Sequence, residues 1–211
     1  MKQLISLLAF VTLTFTAWSQ GGYTPVPDIN GVKKQFADKM AHTQSLESSF
    51  TQTKQMKLLK ENIVSNGRFY YKKDNKVRID YQSPYNYLVI LNNGQMSITD
   101  NYGKKTTMNT RNSKSLQSIN KVMVDCMSGN IFTNSDFRIS VAKNSKEYHI
   151  EMIPNTSDLK SLFKKIDVYF NLDNLYINKM VITELNGDIT DMKYTNVKAN
   201  TGLHDQLFKT K

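Results

Sequence analysis

The side chains with the most familiar reactive chemistry are three histidines, one cysteine and scattered serines, and none stands in a pattern that such chemistry needs. His42, His149 and His204 lie far apart in sequence and share no metal-ligand spacing. Cys126 is flanked by Met123 and Met127, a setting that suits a buried, inert thiol. Ser128, close to it, is the nearest approach to a nucleophile, and no base accompanies it. There is no Gly-x-Ser-x-Gly elbow, P-loop or Gly-x-Gly-x-x-Gly, and Asp188 and Asp191 fit no calcium loop. The reading is a non-enzyme with no catalytic residues, no metal and no cofactor. The chemistry that remains is the burial of apolar surface. Ten methionines favour it, since a flexible thioether packs around guests of irregular shape.

Candidate residues for that surface come from period-two alternation, which puts every second side chain on one face of a strand. In Lys76–Gln82, Val77, Ile79 and Tyr81 face one way, and Arg78 and Asp80 the other. Extending the pattern to neighbouring strands gives an inward set of Phe50, Phe69, Tyr71, Val77, Ile79, Tyr81, Leu88, Ile90 and Ile98. Two helical stripes stand ready to cover it. Val32, Phe36 and Met40 recur every four residues after the potential cap Asp28, and Leu116, Ile119, Met123 and Met127 line a helix over 113–127 that Gly129 can end.

These segments sit in a chain of 211 residues. Met1-Lys2, the apolar run Leu4–Phe15 and Ala17-Trp18-Ser19 form a secretory signal cut after Ser19, leaving 20–211 as one domain. A lone cysteine allows no internal disulfide, so the core must hold the fold. The net charge is +10; Lys2 carries one of these charges and residues 1–19 hold no acid, which leaves +9 for the mature chain. The lysines are dispersed, so the reading is a solvated cationic surface with no nucleic-acid partner. Strands are expected at 45–53, 62–71, 76–82, 87–91, 95–99, 101–110, 137–141, 148–153, 166–170, 176–183 and 189–194. Asn92-Asn93-Gly94 and Asn186-Gly187 supply hairpin turns. Strands joined by short turns predict an antiparallel meander, and sheet twist curls it. The expected fold is mainly β with α: a curled antiparallel meander whose concave apolar surface is covered by a helical lid.

Two stretches resemble the outer-membrane lipoprotein carrier (LolA-like) family. One is Ser45-Leu46-Glu47-Ser48-Ser49-Phe50-Thr51-Gln52 after an amphipathic helix. The other runs from Gly67-Arg68-Phe69-Tyr70-Tyr71-Lys72-Lys73 through Asn75-Lys76-Val77-Arg78-Ile79-Asp80-Tyr81 and Pro84 to Asn93-Gly94. The C-terminal half matches only in its strand-rich pattern. The resemblance implies an incomplete, half-open antiparallel β-barrel covered by a helical lid and enclosing an apolar cavity, in a monomeric periplasmic chaperone that accepts acylated lipoproteins from an inner-membrane transporter and passes them to an outer-membrane acceptor. It also implies a basic latch from the turn after the second strand to lid carbonyls, a position that falls on Lys73. The family often has Arg-Pro there where this chain has Lys73-Asp74, and a lysine offers a point charge in place of a planar fork. Lys72 and Arg78 are the other candidates.

Burying methylenes gains about 0.8 kcal/mol each, so one long acyl chain brings on the order of 10 kcal/mol gross. Latch bonds of roughly 1–3 kcal/mol each are enough to bias such a carrier between retention and release. The competing readings are a lipid or glycolipid shuttle on the same fold, and a sensor or protein-binding module with a filled core.

Overall fold

The computed structural model describes residues 22–210, without the side chains of 114–116, 118 and 119. The proposed signal segment 1–19 lies outside the described residues. In chain order the elements are β1 (Thr24–Pro25), α1 (Ile29–Ala41), β2 (Ser45–Gln55), β3 (Ile63–Lys72), β4 (Lys76–Ser83), β5 (Tyr87–Asn92), β6 (Gln95–Thr99), β7 (Lys105–Asn109), α2 (Lys114–Ser128), β8 (Phe137–Lys143), β9 (Glu147–Pro154), α3 (Ser157–Lys160), β10 (Phe163–Asn171), β11 (Ile177–Glu184) and β12 (Ile189–Ala199). Short 3-10 turns follow β7, α2 and β12, the last at Asp205–Phe208. The strands expected from alternation are all present, most within three residues of their expected ends. The two-residue β1, the one-turn α3 and the 3-10 turns carry too little periodicity to be seen in the sequence.

All strands join one antiparallel sheet in the order β1-β8-β9-β10-β11-β12-β2-β3-β4-β5-β6-β7. The expected single meander is therefore two meanders, β2–β7 and β8–β12, side by side. They meet where β12 pairs with β2, Tyr194 opposite Phe50 and Met192 opposite Gln52. The sheet does not close: β7 is one edge and β1 the other. The chain passes from β7 to β8 through α2, so this helix crosses from one side of the curled sheet to the other.

Each helix has an identifiable start or stop. The Asp28 carboxylate accepts the Gly31 N–H at 3.0 Å and caps α1. Gly129, at φ +76°, ends α2 in the left-handed conformation; a Cβ there would meet Met40 Cγ at 2.8 Å, so the ends of the two helices approach closely at this glycine. α1 buries Val32, Phe36 and Met40. Phe36 sits edge-on to Phe132, Tyr148 and Phe170, with ring centroids at 5.2, 5.9 and 4.8 Å. α2 buries Val122, Val124, Cys126 and Met127, with Met123 half-buried. Leu116 and Ile119 belong to α2, but their side chains lie outside the described residues.

The convex face is polar and in places tightly tied. On β9 and β10 the His149 ring stacks on Tyr169 and lies 2.8 Å from the buried Asp167 carboxylate, which Lys165 also reaches at 2.9 Å. Burial pushes the Asp167 carboxyl up, but the hydrogen bonds from His149 and Lys165 outweigh it and hold the carboxyl below its ordinary value. An acid whose folded pKa is lowered contributes stability above its unfolded pKa and loses it as pH falls through the folded value. Asp167→Asn is therefore expected to lower stability by about 2 kcal/mol at pH 7. The difference in thermal midpoint from wild type should shrink as pH falls below the ordinary carboxylate range. A gap that stays constant from neutral to strongly acid pH would contradict the charge-based origin.

The C-terminal segment crosses the same face over β3–β7. The Lys72 ammonium donates to the Leu203 carbonyl at 2.7 Å, the Arg78 guanidinium to the Leu207 carbonyl at 3.2 Å, and the Asn92 amide to the Phe208 carbonyl at 3.0 Å. The Thr107 hydroxyl donates to the Thr210 carbonyl at 3.2 Å. Phe208 is fully buried beneath this strap.

Candidate functional site

Alternation along each strand delivers one row of apolar side chains to the concave face, and the register shows which. Val77, Ile79 and Tyr81 oppose Leu91, Val89 and Tyr87; Met192 and Tyr194 oppose Gln52 and Phe50; Met180 and Ile182 oppose Met192 and Thr190. Ile166 continues the row on β10, opposite Ile182. Between this surface and α2 lies a hollow of about 180 Å³. Its floor is Ile79, Tyr81, Ile166, Met180, Met192 and Tyr194, and its roof is Val122 and Met123 of α2. Phe163 and Ile182 close one side.

Polar atoms are few here, and those present are mostly engaged. The Tyr81 hydroxyl donates to Gln52 Oε1 at 2.9 Å, and the Tyr81 ring stacks on Tyr87 with centroids 3.9 Å apart. The Tyr194 hydroxyl donates to the Met192 sulfur at 2.8 Å. Burial pushes both phenols upward, so they stay neutral, hydrogen-bonding groups. Burial likewise raises the Cys126 thiol, which holds it protonated and removes it as a nucleophile. Among the described residues no group of three or more His, Cys, Asp or Glu side chains is placed to hold a metal ion. The arrangement can desolvate an apolar guest, and no pair of groups in it is set up for proton transfer or nucleophilic attack.

Of the nine inward residues named from sequence, Phe50, Phe69, Tyr71, Val77, Ile79, Tyr81 and Ile98 lie on the concave face by register, but only Ile79 and Tyr81 line the hollow. Phe50 and Phe69 instead support its floor, packing edge-on against Tyr81 and Tyr194. Leu88 and Ile90 are corrected. They oppose Asp80 and Arg78, which puts them on the convex face. The unbroken apolar run Tyr87–Leu91 hid the alternation; its inward members are Tyr87, Val89 and Leu91. Ile90 is buried all the same, outside the main core, where the C-terminal strap crosses β4 and β5.

The latch position is corrected as well. Lys73 is exposed in the β3–β4 turn, beside the C-terminal ends of α1 and α2, and among the described residues its ammonium has no hydrogen-bond or ion-pair partner. In this structure it makes no bond to a lid carbonyl. The backbone-carbonyl contacts belong to its neighbours Lys72 and Arg78, and they hold the strap on the opposite face.

The wall of the hollow missed from sequence is the C-terminal one: Phe163, Ile166, Met180, Ile182, Thr190, Met192 and Tyr194. Alternation in 177–184 and 189–194 was legible. What was not legible is that β12 returns to pair with β2 and so brings these strands beneath α2.

Comparison with known proteins agrees with this architecture. Residues 41–211 match the family model described as outer membrane lipoprotein carrier protein LolA. No curated protein matches the sequence. Among solved structures, an uncharacterized conserved protein from Thermus thermophilus is similar with a TM-score of 0.50 at 9% identity, over 85% of this chain and 93% of that one. A putative outer membrane lipoprotein-sorting protein domain from Vibrio parahaemolyticus has a TM-score of 0.47 at 12% identity, over 85% and 94%. The MucA/MucB complex of Pseudomonas aeruginosa gives a TM-score of 0.47 at 10% identity, covering 83% of this chain and 59% of that one. With the family model spanning most of its length, the chain belongs to the outer membrane lipoprotein carrier protein LolA family.

Proposed function

We propose that this protein is a periplasmic carrier that shields the acyl chains of lipoproteins between the curled sheet and α2. The observation that carries the reading is the apolar hollow roofed by α2, at the junction of the two meanders. Its roof and its surroundings are built differently. α1 is pinned by Phe36 among three aromatic rings, whereas the described buried residues of α2 are aliphatic and sulfur-bearing except for Asp125, whose carboxylate is held by Lys121 and Asn134. α1 then acts as fixed wall and α2, with Met123 and Met127, as the adaptable lid.

The hollow as it stands is close in size to an engineered cavity of about 150 Å³ that admits benzene. An acyl chain of a dozen or more methylenes needs α2 to lift or slide, and each methylene then buried contributes about 0.8 kcal/mol toward holding it open. Loading is thus a shift between closed and open forms, driven by the guest's preference for the open one. In this reading the cargo arrives from an inner-membrane releasing transporter and leaves to the outer membrane, with or without a dedicated acceptor.

The test is retention of a triacylated lipoprotein in soluble form by the purified protein. A soluble complex is expected with wild type. Ile182→Trp, which thrusts an indole into the hollow, is expected to weaken that complex roughly tenfold or more while the circular dichroism spectrum is kept. Absence of a soluble complex, or unaltered retention by a well-folded Ile182→Trp, would count against the carrier reading. Mass spectrometry of the natively bound species separates a lipoprotein cargo from a free lipid or glycolipid.

A further inference from the structure

Seven large apolar side chains are exposed among the described residues: Leu58, Leu59, Ile63, Val64, Tyr85, Tyr102 and Leu185. Isolated exposed apolar residues are ordinary, but the distribution of these is not. Leu58 and Leu59 lie in the β2–β3 turn, and Ile63 and Val64 begin β3. Tyr85 lies in the β4–β5 turn, Tyr102 in the β6–β7 turn and Leu185 in the β11–β12 turn. In an antiparallel sheet alternate turns fall at the same end, and the register bears this out here: Ile189 pairs with Gln55, Thr183 with Ile189, and Leu88 with Thr99. Every one of the seven is at that end, and the turns at the opposite end contain none.

The same end is cationic in a particular way. Lys57, Lys60, Lys104, Lys105, Lys160 and Lys164 are exposed there, and among the described residues none of the six has an ion-pair partner. Of the acids at this end, Glu61 and Asp158 stand among the lysines without an ion pair among the described residues, and three others are engaged locally. Glu184 pairs with Lys54 at 2.9 Å, Asp188 accepts the Lys57 backbone N–H, and Asp100 accepts those of Tyr102 and Lys104. Leu58 is 95% exposed and stands with Leu59 between Lys57 and Lys60. Apolar tips set among unpaired lysines match an interface that is greasy below and anionic at its surface. The hollow lies toward this end too: Tyr81, Phe163, Ile182 and Thr190 of its lining are all within two residues of a strand terminus there.

We propose that this end of the barrel docks on the surface of a bilayer containing anionic lipid, with the Leu58-Leu59 turn entering the interface and the lysines meeting headgroup phosphates. The inference goes beyond the carrier reading and stands without it, because docking requires no cargo. Flotation of the purified full chain with vesicles tests it. Wild type is expected to float with phosphatidylcholine vesicles containing phosphatidylglycerol and to float far less with phosphatidylcholine alone. Leu58→Glu/Leu59→Glu is expected to reduce flotation with anionic vesicles roughly tenfold or more. Both side chains are exposed, so the fold should be unchanged by circular dichroism, and retention of acylated lipoprotein should be unchanged in the same preparation. Failure of wild type to float with anionic vesicles overturns docking and points to a protein partner for this surface. Equal flotation of the double variant, or equal flotation with neutral vesicles, overturns it as well. Loss of lipoprotein retention in wild type with vesicle binding intact would instead refute the carrier reading.

Discussion

Gly67→Ala is expected to destabilise the protein by about 3 kcal/mol or more, a single added methyl doing the damage of a large core deletion. A Cβ at this position would lie 2.1 Å from the Asp80 carbonyl oxygen on β4 and 2.9 Å from two atoms of the Phe50 ring. The first contact is with backbone, so no rotamer change relieves it; β3 and β4 would have to separate at the point where their register already shifts between Asn66 and Gly67. The second would displace Phe50, which covers the glycine across the β2–β3 ladder and packs edge-on to Tyr81. Urea unfolding reads the effect as a fall in midpoint, and Gly67→Ser should fall similarly, since any Cβ meets the same atoms. A midpoint equal to wild type would show that the two strands can spread without cost. The glycine that opens the Gly67-Arg68-Phe69 stretch is thus explained by the closeness of a neighbouring strand and an overlying ring.

Phe36→Ala is the second large loss expected, about 3–5 kcal/mol. Domains of this kind hold roughly 5–15 kcal/mol in all, so such a variant stands near the edge of folding at 37 °C. Phe36 is wholly buried, and it contacts one ring from the turn after α2 (Phe132), one from β9 (Tyr148) and one from β10 (Phe170). Truncation would leave three edge-to-face contacts without their centre and release α1 from the sheet. The thermal midpoint and the near-ultraviolet dichroism should both fall, with Phe36→Leu recovering part of the loss. A near-wild-type midpoint for Phe36→Ala would mean that α1 contributes little to the fold, and it would remove the distinction drawn between a fixed α1 and an adaptable α2.

Much of this was legible from local pattern. Val77, Ile79 and Tyr81 alternate cleanly with Arg78 and Asp80, and their facing is read directly from those charges. The Val32–Phe36–Met40 stripe announces α1 in the same way. Tyr87–Leu91 was not legible because every residue in it is apolar or aromatic: with no polar residue to mark the outer face, either phase fits, and only pairing with β4 decides it. Ile90 then looks like an inward residue for a second reason, since the strap buries it from behind. The C-terminal wall of the hollow failed for a different cause. Its strands were visible, but pairing between β12 and β2 joins residues more than a hundred positions apart, and local periodicity carries no trace of it. Lys73 was named through resemblance to a family in which arginine often stands, and a lysine's single ammonium in this turn reaches no carbonyl here.

Four side chains of the sheet, Lys72, Arg78, Asn92 and Thr107, each grip a main-chain oxygen of the C-terminal strap. Every residue type carries that oxygen, so these grips cannot tell one tail sequence from another. Identity is read by Phe208, sunk into the face, by Asp205, whose carboxylate pairs with Lys72 and Lys76, and by Thr210, whose hydroxyl donates to Gln95. Mutational drift in this tail should therefore be broad at most positions and narrow in length: substitutions away from Asp205, Phe208 and Thr210 pass unnoticed, while one inserted or deleted residue throws every grip out of step.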